Sequence, residues 1–326
     1  MPLPHKLTIG IPTYNRAERL QRAIQAAIGQ SMPCNVVVAD DSDDDHAERL
    51  CKPWTEHPNF TYLRSPAKKL WHNWRWVAER AYEMGSEYFM WLQDDDIIRV
   101  HTARRIVKSM DRYPGCSVWC SNLRMGYDNL LGQLWVGNWG PKIPVDIWGD
   151  SAAPFAGKLL TPIAYVDSWS MSPAKAFRCG EWFPKMISDL PDDCDMFTER
   201  LDIAYAGLHG EAICDPVPAG IWIIHDRNES QHTGHTCPDQ VKSAYAFIDT
   251  LMDRNPSWRE ELLGWIGSLG TLGLVIDYAR TLANHKHLSC YASQIYDILA
   301  GILEAHGQKV PTKDEPKEEA GKAVAA

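Results

Sequence analysis

Three consecutive aspartates, Asp94, Asp95 and Asp96, close the run YFMWLQDDDIIRV at residues 88–100. The apolar stretch before them reads as a buried strand, and carboxylates at the end of a parallel strand suit a hard divalent cation, Mg or Mn, bridged to phosphate oxygens. Successive side chains of an extended chain point to opposite sides, so about two of the three face any one ligand. Asp also suits turns and helix caps, so the triplet in isolation has a plain structural explanation as well. A second acidic cluster, ADDSDDD at 39–45, again ends a β-like run. Ser42 or Asp43 fits the cap of the next helix, and a carboxylate there would also accept a hydrogen bond from the imide N–H of a uracil ring. A third, PDDCDMFTER at 191–200, has the form of a Pro-started helix N-terminus, where the macrodipole favours acids.

The elements that must hold these clusters follow from hydrophobic periodicity. KLTIGIP (6–12) and CNVVVAD (34–40) are rich in β-branched residues, as parallel strands buried on both faces are. Between them RAERLQRAIQAAIGQ places Leu20, Ile24, Ala27 and Ile28 on one helical face, with Asn15 and Glu18 in capping-box spacing and Gly29 as a stop. A helix at about 44–51, the strand NFTYLR, a helix at 69–84 with Leu70, Trp74, Val77, Ala78 and Ala81 inward, the strand YFMWLQ and the helix HTARRIVKSMDRY continue the alternation. This order predicts an α/β fold with a mostly parallel sheet covered on both faces, whose ligands bind at the carboxyl ends of the strands. From 126 to 184 the pattern loosens into loops rich in Gly, Pro and Trp, AICDPVPAGIWIIHD (212–226) reads as a strand returning to the site, and three amphipathic helices follow residue 236. The tail at 308–326 has the composition of a disordered segment.

Composition narrows the partners. A formal net charge of −9 gives no general attraction to nucleic acid or to an acidic membrane. The local cations Lys68, Lys69 and Arg75 suffice for a small phosphorylated ligand. No segment reaches the ~18 apolar residues of a membrane span and no secretory h-region opens the sequence, so a cytoplasmic protein is expected, with association at the inner face of a membrane left open. Nine cysteines without a CxxC pair fit reduced thiols, with Cys116 and Cys120 buried in a strand. His232, His235 and Cys237 lack a fourth ligand at zinc spacing and read as loop residues.

Taken in order, IGIPTYNRAERL, VVVADDSDDD and EYFMWLQDDDII resemble the family 2 glycosyltransferases of GT-A fold, closely over the first 125 residues and more loosely to about 230. The resemblance implies a Rossmann-like sheet with a C-terminal helical appendage, divided into a nucleotide-sugar half (1–125), an acceptor and catalytic half (126–230), a helical region (231–307) and the tail. Pro12, Thr13, Tyr14 and Arg16 would line the nucleotide pocket, Asp41 with Asp40 beside it would read the base, Lys69 would meet phosphate and Asp94 would lie near the ribose or sugar. Asp95 aligns with the metal-binding aspartate of the family's Asp-x-Asp-Asp pattern, with Asp96 and His225 as further metal candidates; Gln93 stands where that pattern has its first Asp. In PDDCD, Asp193 aligns with the catalytic base and Asp195 is the reserve, Asp192 replacing the usual Glu.

The implied activity is inverting, metal-dependent transfer from a nucleotide-diphosphate donor, a UDP-sugar by preference, to a hydroxyl acceptor in surface-glycan or polysaccharide assembly. The missing QxxRW argues against a processive synthase. Two rivals remain at this stage: a non-catalytic nucleotide-sugar or glycan-binding protein on the same fold, and a sugar nucleotidyltransferase, whose Gly-rich signature after the first strand PTYNRAERL lacks. Trp135, Trp139, Trp148, Trp169 and Trp182 offer aromatic faces to a sugar, although core packing explains most tryptophans.

Overall fold

The computed structural model describes residues 4–67, 70–128, 134–137, 153–154, 175–190, 202–203 and 205–225, with single positions at 253, 256, 259, 301, 304 and 307. The first half follows the expected alternation: β1 (Leu7–Thr13), α1 (Ala17–Ile28), β2 (Asn35–Asp40), α2 (His46–Cys51), β3 (Phe60–Arg64), α3 (Leu70–Glu83), β4 (Tyr88–Trp91), β5 (Ile97–Ile98) and α4 (Thr102–Arg112). β6 (Cys116–Asp128), β7 (Leu134–Gly137), β8 (Ala153–Pro154), β9 (Lys175–Arg178), α5 (Trp182–Asp189) and β10 (Glu211–Ile224) complete the described elements. One ten-stranded sheet has the path β3-β2-β1-β4-β9-β6-β10-β5, with β7 on β6 and β8 on β10. β1 pairs in parallel with both β2 and β4, so the ends of all three strands open on one edge of the sheet.

Every residue of β1 and β2 is buried, which is why both read as near-continuous apolar runs. α1 lays Leu20, Ala23, Ile24 and Ala27 on the core, and α4 buries Ile106, Val107 and Met110. α3 reaches β1 closely enough that a Cβ at Gly10 would lie 2.7 Å from the Phe89 ring and 3.1 Å from Val77 Cγ2. An aromatic seam runs beneath it: Trp74 stacks on Trp91 at 5.7 Å, Phe89 meets Trp91 edge-on at 4.8 Å, and Trp91 meets Phe177 at 5.5 Å. These rings are core. Trp182 is half-buried against His209, Trp135 belongs to β7, and Trp139, Trp148 and Trp169 lie outside the described residues.

Three local expectations are corrected. Asn15 does not open a capping box: it has a left-handed φ of 53° and α1 starts at Ala17 with no side-chain cap. Its side chain reaches across to the next acidic loop instead, accepting the Asp43 N–H at 3.0 Å and donating to Asp43 Oδ2 at 3.2 Å. Neither Ser42 nor Asp43 caps α2; Ser42 Oγ accepts the Asn15 N–H at 2.8 Å, and Asp44 Oδ1 takes the His46 N–H at 3.0 Å. The span 126–184 is not all loop, because β9 inserts antiparallel between β4 and β6. Cys34, Cys51, Cys116 and Cys120 are buried free thiols and Cys179 is half-buried and free. Among the described residues no helix is long and apolar enough to cross a membrane. The helices expected after 236 lie outside the described residues apart from the single positions, and the tail wholly so.

Candidate active site

The triplet after β4 splits its work among three directions. Asp94 turns toward β1, where Thr13 Oγ1 donates to its Oδ2 at 2.7 Å. Asp95 turns toward β10: its Oδ2 lies 2.9 Å from His225 Nε2, and Arg16 Nη1 donates to the same oxygen at 3.1 Å. Asp96 accepts the backbone N–H of Ile223 at 2.8 Å, anchoring the penultimate residue of β10 to the loop. β5 holds the loop's far side by pairing with β10 at Ile97 and Ile98. All three aspartates are buried, at most 4% of each residue being exposed.

Burial of this much negative charge is costly unless it is compensated. Arg16 supplies part of the compensation, lying also 3.5 Å from Asp94 Oδ1. It is not enough for Asp94, whose carboxyl is pushed up to about 7 by burial and by the charge of Asp95, against the opposing pull of Arg16 and Thr13. The pocket therefore favours additional positive charge.

The neighbouring β2 end carries the second cluster. Asp40 is fully buried and committed to the protein: its Oδ1 accepts the Ser42 N–H at 2.9 Å, and its Oδ2 accepts Tyr62 Oη at 2.7 Å and Arg64 Nη1 at 2.8 Å. Arg64 also donates to the carbonyls of Ser42 and Asp44, so it fastens the whole acidic loop to β3. Asp41 is held from α3, where Asn73 Nδ2 donates to Asp41 Oδ1 at 3.0 Å and to the Ala39 carbonyl at 2.9 Å. The same amide lies 3.5 Å from the Thr13 carbonyl, joining the ends of β1 and β2. Pro12 is buried in β1 opposite Ala39. Tyr14 is 44% exposed and donates to Asp43 Oδ2 at 2.7 Å, presenting its ring at the mouth.

The fold thus brings Thr13, Arg16, Asp94, Asp95 and His225 into one bonded cluster, with Tyr14 and Asp41 beside it. Lys69, Asp193 and Asp195 lie outside the described residues. Arg75 stacks its guanidinium over the Trp71 ring at 5.8 Å. Sequence reasoning missed Asn73, Tyr62 and Arg64. A polar residue on the inward face of α3 signals the first, whereas nothing in NFTYLR marks the other two.

Residues 8–135 match the family model described as Glycosyl transferase family 2. The chain carries a family 2 glycosyltransferase domain. No curated protein matches the sequence. Among solved structures, S. aureus TarS is similar with a TM-score of 0.57 at 15% identity, over 92% of this chain and 55% of that one. TarS 1–349 in complex with UDP-GlcNAc gives a TM-score of 0.56 at 14% identity, over 96% of this chain and 98% of that one. TarS 1–349 in complex with UDP gives 0.52 at 15% identity with the same coverage. The chain spans just over half of the longer TarS chain. At these identities the likeness is one of fold, the Rossmann-like GT-A arrangement with its mostly parallel sheet.

Proposed function

We propose that the protein transfers a sugar, with inversion, from a nucleotide-diphosphate donor to a hydroxyl acceptor in surface-glycan or polysaccharide assembly in the cytoplasm. The observation that carries this reading is the cluster at the ends of β1, β4 and β10, in which Asp95 meets His225 and Arg16 while Asp94 is held by Thr13. The UDP-GlcNAc bound by the similar TarS fragment supports a UDP-sugar donor. Residues 1–125 are read as the donor half and 126–230 as the acceptor half.

A divalent cation fits the chemistry of the donor set. Asp95 offers a hard carboxylate and His225 an imidazole, with the buried Asp94 carboxyl beside them. Among the described residues no three such side chains form a ready cage; Asp95 and His225 would hold a Mg or Mn ion together with the donor diphosphate, the usual arrangement for these ions. When bound, the cation offsets charge on the departing diphosphate.

The residues divide the remaining work. Tyr14 offers a face to the base, and Asp41, oriented by Asn73, accepts the uracil imide N–H. Arg16 supplies positive charge where the diphosphate leaves, the kind of electrostatic stabilisation that dominates many enzymes. Asp193, with Asp195 as its alternative, takes the proton of the acceptor hydroxyl as that oxygen attacks the anomeric carbon.

Incubation with UDP-, GDP- and TDP-sugars with and without Mn²⁺, scored by thermal shift and donor hydrolysis, tests the assignment. A UDP-sugar response that requires Mn²⁺ and loses turnover in Asp193→Asn is expected. Turnover unchanged in both Asp95→Ala and Asp193→Ala refutes it.

A further inference from the structure

Arg16 and the proposed cation are both drawn to one side chain, Asp95. Asp95 Oδ2 already receives His225 Nε2 at 2.9 Å and Arg16 Nη1 at 3.1 Å. A cation ligated by either oxygen of Asp95 lies within a few ångström of the Arg16 guanidinium, a charge of the same sign, which is repulsive at such range. Arg16 also lies 3.5 Å from Asp94 Oδ1, so both carboxylates lose compensation together if it leaves. Its side chain is 24% exposed. It stands just ahead of α1 and lines a cleft of about 140 Å³ shared with Asn15, Arg19 and Ser42, so it has room to turn. Guanidinium groups bind phosphate oxygens in bidentate geometry at least as well as carboxylates.

We propose that Arg16 couples cation binding to donor binding: its guanidinium holds Asp95 in the nucleotide-free protein and moves to the diphosphate when the donor arrives, freeing the carboxylate for the cation. This rests on the metal and diphosphate reading given above. The consequence is ordered by linkage. Cation alone binds weakly because it has to sit beside the guanidinium or displace it. Nucleotide diphosphate gives that arginine another partner, and each ligand raises the affinity of the other by the same factor. The site is then charged with metal only when a donor is present.

The test is Mn²⁺ titration followed by electron paramagnetic resonance, with and without UDP, on the wild type, Arg16→Met and Arg16→Lys. In the wild type, UDP is expected to tighten Mn²⁺ binding strongly. Arg16→Met is expected to bind Mn²⁺ alone on the order of tenfold more tightly than the wild type, yet no more tightly when UDP is present, so its UDP effect shrinks. Arg16→Lys, which keeps the charge and loses the fork, is expected to fall between and serves if the methionine variant does not fold. Mn²⁺ binding in the absence of UDP that is no tighter in either variant overturns the coupling. A wild type that takes up no Mn²⁺ even with UDP refutes the metal reading itself, and the coupling with it.

Discussion

His225 Nε2 and Asp95 Oδ2 lie 2.9 Å apart although 130 positions separate them in the chain. The contact joins two parts of the sheet: the loop after β4, which pairs in parallel with β1, and the residue following β10, which pairs in parallel with β6. Asp96 reinforces the junction by accepting the Ile223 N–H, so the strand that carries His225 is fixed by the same acidic triplet it serves.

On the proposed reading, replacement of either member of this pair removes an interaction aimed at the departing diphosphate. Asp95→Asn and His225→Gln are each expected to lower transfer by about two to three orders of magnitude. Initial rates at saturating Mn²⁺ and UDP-sugar check this; a rate within threefold of wild type in both variants is the contrary result.

Tyr62 and Arg64 hold a carboxylate that has no access to water. Tyr62→Phe keeps the ring and deletes the donor to Asp40, leaving a buried charge short of one hydrogen bond, which costs about 1–3 kcal/mol. Urea denaturation is expected to show a lower midpoint at unchanged slope, and the Michaelis constant for the UDP-sugar is expected to rise, because Tyr62 and Arg64 order the loop from Asp40 to Asp44 that is proposed to read the base.

Gly10 and Gly115 form a controlled comparison. A methyl group at Gly10 meets the Phe89 ring at 2.7 Å and Val77 at 3.1 Å, between a central strand and α3, whereas at Gly115 nothing lies within 4 Å. Gly10→Ala is expected to destabilise by about 1–3 kcal/mol through overpacking, and Gly115→Ala to stay within about 0.5 kcal/mol. Calorimetric melting of the two variants distinguishes packing from a general effect of losing glycine.

His209 makes the fold acid-sensitive. Its ring stacks on Trp182 at 5.1 Å and on Tyr205 at 5.4 Å, and burial together with the charge of Lys185 lowers its pKa below the ordinary 6.5. The folded state therefore favours the neutral ring. The stability this provides is present above pH 6.5 and is lost as the pH falls from there through the lowered folded value. His209→Phe, which keeps a stacking ring, is expected to show a shallower fall of Tm between pH 7 and 5 than the wild type; parallel curves count against the assignment.

Much of the first 125 residues was legible because the signals there are local. β1, β2 and β4 are buried on both faces, so their apolar runs and acidic ends stand out without any knowledge of partners. The roles inside the clusters were not legible. Asp40 and Asp41 are adjacent and chemically alike, yet one is consumed by Tyr62 and Arg64 from β3 and the other is held by Asn73 from α3. Asn15 has the spacing of a capping box, but a positive φ and the nearby Asp43 drew its side chain across to another loop. β9 was hidden within a span rich in Gly, Pro and Trp, since a four-residue strand such as KAFR carries too little periodicity to be seen.

Sequence alone determined that acidic groups end neighbouring parallel strands and that a histidine follows a later one, because hydrophobic periodicity and charge are properties of short stretches. Only the tertiary structure decided that Asp95, rather than Asp94 or Asp96, is the aspartate shared by His225 and Arg16. Three adjacent carboxylates differ only in direction, and direction is set by what the sheet brings within hydrogen-bonding reach of each.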